Sequence, residues 1–311
     1  MASQDVSARP AGRALRRGWL DFGDNAFAYI MLAPSVLTFL AFIIFPIVNT
    51  FVAAFSTVDN LGRIESIGSL RNFQTLAADP RLPGIVKQTA IYAGGSVFAE
   101  AVLGMVLALI LNSDFRGREW AKALILIPWA MPFAVAAMTW RWIFHGQVGA
   151  LNYVLISLGI IQGPIVWLGD PTLAFTAALF VEIWTSVPFM TITFLAGLQS
   201  IPAAIYDAAK IDGAGPFREF LDMTLPQMRT VVMIVTLLSI LWAFNAFGII
   251  WVLTRGDPIY RTDLVVTYLY KLAFEQSDFG AGFALAVCIF VVLMIFSLIY
   301  VKVLSVEEEQ R

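Results

Sequence analysis

Two polar side chains stand inside long apolar stretches of the sequence, and both have aromatic neighbours. Glu182 is followed closely by a tryptophan and a threonine, and Asn245 lies in an aromatic run at 242–247. Proteins bind sugars through hydrogen bonds to the hydroxyl groups and by stacking aromatic rings on the C–H faces. This combination of residue types therefore predicts a path for a carbohydrate. Its predicted residues are Glu182, Trp184, Thr185, Trp242, Asn245 and Phe247.

Glu182 and Glu100 each lie near the middle of a predicted membrane span, where a charged side chain is costly. Insertion scales place that cost at about 2.5–3.5 kcal/mol, so each group needs a reason to be there. One interpretation is that they are protonated or hydrogen-bonded packing elements between helices, which we favour for Glu100. Another is that they form the ion or proton relay of a secondary transporter or channel. The sequence leaves both open.

Motifs for catalysis or metal binding are missing from the sequence. It contains no G-x-x-x-x-G-K-[ST] phosphate loop, no H-E-x-x-H and no G-x-S-x-G motif. His145 is the only histidine and Cys288 the only cysteine, so neither has a second ligand of its kind at metal-binding spacing. We predict that the chain is not an enzyme and has no catalytic residue, metal site or cofactor of its own. Energy for active transport would come from another subunit.

The elements that must position these side chains are membrane-spanning helices. Hydrophobic residues make up 59% of the 311 residues and charged residues 14%, and the mean hydropathy is +0.79. This composition is far too apolar for an ordinary soluble domain. The net charge of −2 excludes a strongly basic nucleic-acid binder, so no nucleic-acid partner is expected. The composition predicts a protein embedded in a lipid bilayer.

Six segments are long enough to cross a bilayer as helices, since about 20 apolar residues span a hydrocarbon core of ~30 Å. They are 28–55, 88–111, 123–144, 172–196, 230–254 and 279–303. The predicted fold is an all-α polytopic membrane protein with a single transmembrane domain at 26–304. Polar tails precede and follow this domain, a flexible one at 1–25 and a short one at 305–311.

The distribution of Lys and Arg predicts the orientation, because positively charged connections stay in the cytoplasm. With the N-terminus inside, the inner segments hold twelve of these residues and the outer connections seven. Arg141 remains, near the outer end of the third span. Both termini and the connection 197–229 are therefore predicted to be cytoplasmic.

A polar passage at 199–229 separates the fourth and fifth spans. Pro202 suits a first helical turn, and the good helix formers after it end at Gly213, a favoured stop. A second short helix is predicted to begin at Pro216 and to stop near Pro226. This bent pair of helices would present small and aromatic side chains to a partner. The face predicted for the partner contains Ile205, Ala208, Ala209 and Asp212. An amphipathic connector lying on the inner leaflet is the alternative.

The order of residues in this passage resembles the cytoplasmic EAA loop of binding-protein-dependent ABC transporter permeases, where the permease docks onto an ATPase. That pattern has an acidic residue and two alanines, then Asp-Gly-Ala, then apolar positions and a Leu-Pro. Asp207 stands where Glu is commoner, which keeps the charge. The residues that the resemblance implies for ATPase coupling are Tyr206, Asp207, Ala208, Ala209, Asp212, Gly213, Ala214, Phe217, Phe220 and Pro226.

The resemblance continues from about residue 28 onward to sugar-type permeases, such as those for maltose, lactose, glycerol phosphate and trehalose. It includes the segments 70–73, 103–112, 184–188, 196–199 and 278–280. The resemblance implies a permease subunit of an ABC importer in the bacterial inner membrane. It further implies a second homologous permease, two ATP-binding subunits that use ATP and Mg, an external solute-binding protein and a sugar-like solute.

Overall fold

The computed structural model describes the backbone of residues 22–308 and the side chains of residue 26 and residues 28–303. The predicted tails lie largely outside it: 1–21 and 309–311 are not described, whereas 22–25 and 305–308 are helical. The chain divides into two units, one up to Asn49 and one from Thr50 onward. The second unit contains every candidate site residue.

Helices account for most of the described residues. In chain order they are α1 Phe22–Phe39, α2 Phe45–Ala54, α3 Arg71–Ala77, α4 Leu82–Asn112, α5 Arg118–Ala130, α6 Phe133–Ile143, α7 Ala150–Ser157, α8 Pro171–Gln199, α9 Ala203–Ile211, α10 Pro216–Arg218, α11 Leu225–Phe244, α12 Phe247–Leu253, α13 Val265–Tyr270 and α14 Phe279–Glu308. Three π-helical segments lie between helices, at Leu40–Ile44, Glu219–Thr224 and Lys271–Glu275. Two short strands, β1 Ser56–Val58 and β2 Ile64–Ile67, pair in an antiparallel hairpin.

Five helical segments are long and apolar enough to cross a membrane. They are Ala28–Ala54, Leu82–Asn112, Pro171–Gln199, Pro216–Phe244 and Phe279–Val303. A bent pair, α5 with α6, makes a sixth span if its two halves count as one. The predicted all-α polytopic membrane fold is confirmed, and the count of six depends on this pair.

The predicted third span, 123–144, is not one straight helix. α5 and α6 meet at an angle of 93° across Met131 and Pro132. A proline disfavours the helical conformation of the residue before it, and Met131 is accordingly extended, with ψ 135°. The predicted fifth span, 230–254, was also wrong in its bounds, because helical structure breaks between α11 and α12.

α4 and α8 form the centre of the second unit and pack along their length. Gly104 permits this close approach, since a Cβ at this position would lie 2.6 Å from the Cβ of Met190. α8 begins at a well-formed cap, where the Asp170 carboxylate accepts hydrogen bonds from the N–H groups of Thr172 and Leu173, both 2.9 Å long. This helix pair is the frame on which the other spans are arranged.

The second unit has two distinguishable ends. The loop end holds residues 199–229, where Ile201 and Phe220 pack against the buried cluster shared by α4, α8 and α11. The hairpin end holds β1, β2, α3 and the start of α14. There the Asn72 side chain on α3 donates a 2.8 Å hydrogen bond to the Ser56 carbonyl and fixes the hairpin.

Candidate functional site

The 199–229 loop begins with α9, whose limits agree with the sequence prediction. Pro202 precedes α9, and Gly213 follows it in the left-handed region at φ 76°, where a residue with a Cβ is strained. The N–H of Ala214 donates a 2.9 Å hydrogen bond to the carbonyl of Ala209, which closes the end of the helix. Turn chemistry read locally was therefore sufficient to place this bend.

The second helix of the loop does not stop near Pro226, as the sequence had predicted. Helical structure runs unbroken from Pro216 to Phe244, through the π-helical segment Glu219–Thr224 and into α11. Pro226 lies in the first turn of α11, where the wider π-helical hydrogen bonds before it accommodate its missing N–H. One helical element thus joins the loop to the membrane.

The predicted coupling residues divide into two groups by exposure. The exposed ones are Asp207, Ala208, Asp212, Gly213 and Phe217. The buried or half-buried ones are Tyr206, Ala209, Ala214, Phe220 and Pro226. The face predicted for a partner is split, because Ala208 and Asp212 are exposed whereas Ala209 is buried.

Two large apolar side chains are the most exposed feature of this loop. Ile211 is 87% exposed and Phe217 is 75% exposed, and they flank the turn at Gly213. Ile211 was missed in the sequence analysis, where its only signal was a large apolar residue directly before Asp-Gly. Exposed apolar side chains at one turn are typical of an interaction surface.

Inward-facing side chains tie α9 to the segment that continues into α11. The hydroxyl groups of Tyr206 and Thr224 share a 3.3 Å hydrogen bond, and the Thr224 hydroxyl also donates to the Glu219 carbonyl over 3.2 Å. Phe220 packs against the core cluster that includes Leu198. α9 is therefore attached by hydrogen bonding and packing to the helical segment that continues into α11.

The predicted carbohydrate path separates into two groups in the structure. Glu182 on α8 is only 6% exposed, and its Oε2 accepts a 3.3 Å hydrogen bond from the hydroxyl of Tyr92 on α4. The Thr185 hydroxyl donates to main-chain carbonyls of its own helix. Trp184 packs edge-on against Trp140, with ring centroids 5.4 Å apart. These residues contribute to helix packing in this structure.

The other group lies at the break between α11 and α12. Asn245 is exposed, and its Nδ2 donates a 2.9 Å hydrogen bond to the Leu241 carbonyl, which satisfies the end of α11 and explains the interruption of the predicted fifth span. Trp242 is 49% exposed and packs against Phe189 at 4.9 Å between centroids. Phe247, which begins α12, is half-buried. An amide and aromatic rings are accessible here together.

Glu100 on α4 is 1% exposed, and its Oε1 has no hydrogen-bond partner among the residues that the structure describes. The favoured role for Glu100 was that of a protonated or hydrogen-bonded packing element, and the hydrogen-bonded form is not seen for this oxygen. Among the side chains that the structure describes, those of His, Cys, Asp and Glu form no group of three or more that could hold a metal ion.

The sequence analysis missed a buried ion pair at the hairpin end. The Nζ of Lys271 lies 2.8 Å from Oδ2 of Asp263, and the two side chains are 6% and 0% exposed. Burial raises the pKa of the Asp263 carboxyl, and the Lys271 ammonium opposes this. Thr267 donates to Asp263 Oδ1, and Gln88 at the start of α4 donates to the carbonyls of Tyr260 and Asp263, both at 3.0 Å.

Asp79 and Arg81 extend this pair into a cluster. The Arg81 Nε donates to Asp79 Oδ1 over 3.0 Å, and the Tyr268 hydroxyl also donates to Asp79. Burial raises the pKa of Asp79, but hydrogen bonds from Arg81 and Tyr268 outweigh it and hold that pKa below its usual value. The cations of Arg81 and Lys271 lie 5.2 and 4.6 Å from the centroid of the Tyr260 ring. We call Asp79, Arg81, Tyr260, Asp263, Tyr268 and Lys271 the hairpin-end cluster.

Known proteins resemble this chain over most of its length. A probable ABC transporter permease of Brucella abortus is 36% identical over 287 residues, which cover 92% of this chain and 99% of that protein. A trehalose/maltose transport system permease of Thermococcus litoralis is 34% identical over 285 residues, covering 91% of this chain and 95% of that protein.

The fold is also found in a solved structure. A chain of a bacterial ABC transporter involved in the import of the acidic polysaccharide alginate superimposes with a TM-score of 0.80 at 22% identity, covering 92% of this chain and 97% of that one. Residues 100–305 match the family described as binding-protein-dependent transport system inner membrane component. The predicted membership of the ABC transporter permeases is thus confirmed, and this chain belongs to that family of inner membrane transport components.

Proposed function

We propose that this chain is the permease subunit of an ATP-driven importer that carries a carbohydrate or related polyol delivered by an external binding protein. The observation that carries the proposal is the exposed turn between Ile211 and Phe217, on a loop that continues directly into a membrane-spanning helix. A relative named for trehalose and maltose, and a structural neighbour that imports alginate, support a sugar as the solute.

The working importer would contain several subunits. In the proposal, the chain pairs with a second homologous permease, two ATP-binding subunits and the solute-binding protein. ATP and Mg bind to the ATPase subunits, because this chain has no phosphate-binding loop in its sequence and is not itself an enzyme. The exposed apolar side chains Ile211 and Phe217 would fill a pocket on one ATPase subunit.

The proposed orientation places the loop end in the cytoplasm of a bacterial cell, where ATP is available. The excess of Lys and Arg in the inner connections, twelve against seven, supports this orientation. Both termini would then also be cytoplasmic, and the hairpin end would face the outside of the plasma membrane. The binding protein would approach at the hairpin end.

Rigid-body coupling would connect ATP binding to the transport path. Pro216–Phe244 has 29 residues, so this one helix is about 43 Å long at a rise of 1.5 Å per residue. The segment 205–223, which we call the hinge, includes most of α9 and the first residues of this helix, and Trp242 and Asn245 lie at the helix's other end. ATP binding would pull the hinge inward, and the tilt of this helix would switch the path from inward-facing to outward-facing.

The test is a pair of Asp variants at glycines with similar backbone geometry. Gly213 and Gly159 have φ 76° and 69°, and a Cβ at either would meet nothing within 4 Å, so backbone strain is matched. We expect Gly213→Asp to reach the membrane but to lose uptake and ATPase stimulation, because the added carboxylate lies in the ATPase contact. Gly159→Asp, after α7, should keep both. The measurement is uptake and ATP hydrolysis by the whole importer in proteoliposomes.

Two results would contradict the proposal. One is normal uptake by Gly213→Asp. The other is uptake that follows a proton or sodium gradient in vesicles without any ATPase subunit, since that behaviour belongs to an ion-coupled transporter using Glu182 and Glu100.

A further inference from the structure

A continuous series of aromatic rings extends through the hairpin-end half of the second unit. Phe247 and Trp251 on α12 are stacked at 5.3 Å with an angle of 14° between their planes. Trp251 contacts Tyr270 at 4.6 Å, Tyr270 contacts Phe274 at 4.9 Å, and Phe274 contacts Phe279 at 5.7 Å. We call these five residues the aromatic track. Each distance lies in the range of direct ring–ring contact.

The rings of the track are not part of the buried core. Phe247, Trp251, Tyr270 and Phe279 are half-buried, and Phe274 is 61% exposed. Rings that only filled the core would be covered by neighbours, as Tyr268 is in the adjacent turn. Part of each ring in the track is therefore accessible to a molecule outside this chain.

Both ends of the track meet polar groups. At one end, Phe247 follows the exposed Asn245 by two residues. At the other end, Phe279 forms part of the wall of a polar cleft of about 710 Å³ at the hairpin end. Other residues that line the cleft include Asp59, Asn60, Arg71, Gln276 and Ser277. The track thus connects an outer polar cleft with the amide at the break between α11 and α12.

We propose that the aromatic track is a stacking surface for pyranose sugars, which leads the solute from the outer cleft to Asn245. Its occupant is a sugar with an apolar C–H face, because a flat face can pass from one ring to the next without a strong barrier. The cleft and Asn245 supply the hydrogen-bonding groups for the hydroxyls at either end. The proposal rests on the proposed function. It adds four residues that were not in the path predicted from sequence: Trp251, Tyr270, Phe274 and Phe279.

The experiment uses the complete importer in proteoliposomes, with radiolabelled trehalose, maltose and lactose as probes. Phe274→Leu and Tyr270→Leu remove a ring from the track but keep an apolar side chain. We expect each variant to slow uptake of the accepted disaccharide about 2- to 10-fold, the effect of one lost stacking partner, while loaded binding protein still stimulates ATP hydrolysis. Tyr270→Phe, which keeps the ring, should restore uptake.

Phe98→Leu is the matched control, because Phe98 is an aromatic residue of α4 with 73% exposure that lies outside the track. If Phe274→Leu and Phe98→Leu take up sugar at the same rate, the proposed role of the track in sugar stacking is overturned. Loss of the second permease from purified complexes of Phe274→Leu would also overturn it, because that result would assign the rings to subunit packing. If the wild-type importer accumulates none of the three disaccharides, the proposed sugar substrate itself fails, a result that the wild type shows before any variant is made.

Discussion

The loop end and the hairpin end of the second unit differ in whether their ion pairs are exposed or buried. At the loop end, Lys210 and Asp207 lie 3.9 Å apart with side chains 65% and 71% exposed. At the hairpin end, Lys271 and Asp263 lie 2.8 Å apart with side chains 6% and 0% exposed. The exposed pair leaves its surface available for another protein, whereas the buried pair ties the residues just before α13 to the π-helical segment that follows α13.

This difference indicates that the loop end is suited to contact with a partner and that the hairpin end is suited to holding the fold rigid. The loop end has a short local motif, a left-handed glycine turn and exposed apolar side chains, which are features that a partner can contact. The hairpin-end cluster joins the residues just before α4 to α13, since Asp79 and Tyr268 are hydrogen-bonded although they lie 189 positions apart in the chain. We expect substitutions at the loop end to impair coupling, and substitutions in the hairpin-end cluster to impair stability.

The largest expected effect comes from breaking the buried pair. Lys271→Met leaves the Asp263 carboxylate buried without its cation, which typically costs about 3–5 kcal/mol. We expect a clearly lower unfolding temperature of the purified permease, measured by intrinsic tryptophan fluorescence. The double variant Lys271→Met with Asp263→Leu should recover much of the loss. Unchanged stability of the single variant would show that the pair is not desolvated.

Phe217→Ala tests the loop end, where the expected effect is on assembly. Truncating a central apolar contact often costs about 2 kcal/mol of binding, so the affinity for the ATPase subunit should fall at least about 10-fold. Stability of the permease should change by no more than about 0.5 kcal/mol, because the ring is 75% exposed. The measurement is a titration of the ATPase subunit on permease in nanodiscs. Phe98→Ala is the control, and an equal loss in both variants would contradict a specific contact.

Arg81→Met tests the pH response of the hairpin-end cluster. The folded-state pKa of Asp79 is depressed, so its contribution is present above the unfolded pKa, near 3.9, and is lost as the pH falls through the folded-state pKa. At pH 7 we expect the variant to be about 1 kcal/mol less stable, since Arg81 is partly exposed and screened. Thermal unfolding at pH 7 and at pH 3 should show this difference shrinking in acid. A stability difference that does not depend on pH would argue against a contribution from the ionised Asp79 carboxylate.

The smallest expected effect is that of Lys210→Met, the exposed counterpart of the Lys271 substitution. An exposed pair contributes about 0–1 kcal/mol, so the unfolding temperature should hardly change. The same fluorescence measurement applies to both variants. A loss as large as that of Lys271→Met would remove the distinction between the two ends.

Local turn chemistry explains which parts of the loop could be predicted. The bend at Gly213 follows from residues within a few positions of it, so the limits of α9 were found from sequence. The stop predicted near Pro226 failed because a π-helical segment accommodates the proline, which depends on how the preceding turns pack. The bend before Pro132 is the reverse case, because there the local rule held and the prediction ignored it. A proline disfavours the helical conformation of the residue before it, and this effect outweighed the apolar pattern that had suggested one straight span.

Long-range contacts explain the rest of the candidate site. Glu182 and Asn245 were chosen by the same rule, a polar group among aromatic residues, yet Glu182 is packed against Tyr92 and Asn245 is exposed. Nothing near either residue in sequence distinguishes them, because the distinction depends on which helix lies opposite. The hairpin-end cluster was missed for the same reason.

The sequence by itself determined that this chain lies in a membrane and that it belongs to a family of transport components, and it predicted a docking loop at 199–229. Hydropathy over about 20 residues and a motif within one loop are local properties, and they persist whatever the rest of the chain does. Only the tertiary structure decided which faces of the loop are exposed, which polar groups are paired and which aromatic rings adjoin. Those outcomes depend on contacts between helices far apart in the chain, where burial decides whether a charged or aromatic side chain is available to a partner.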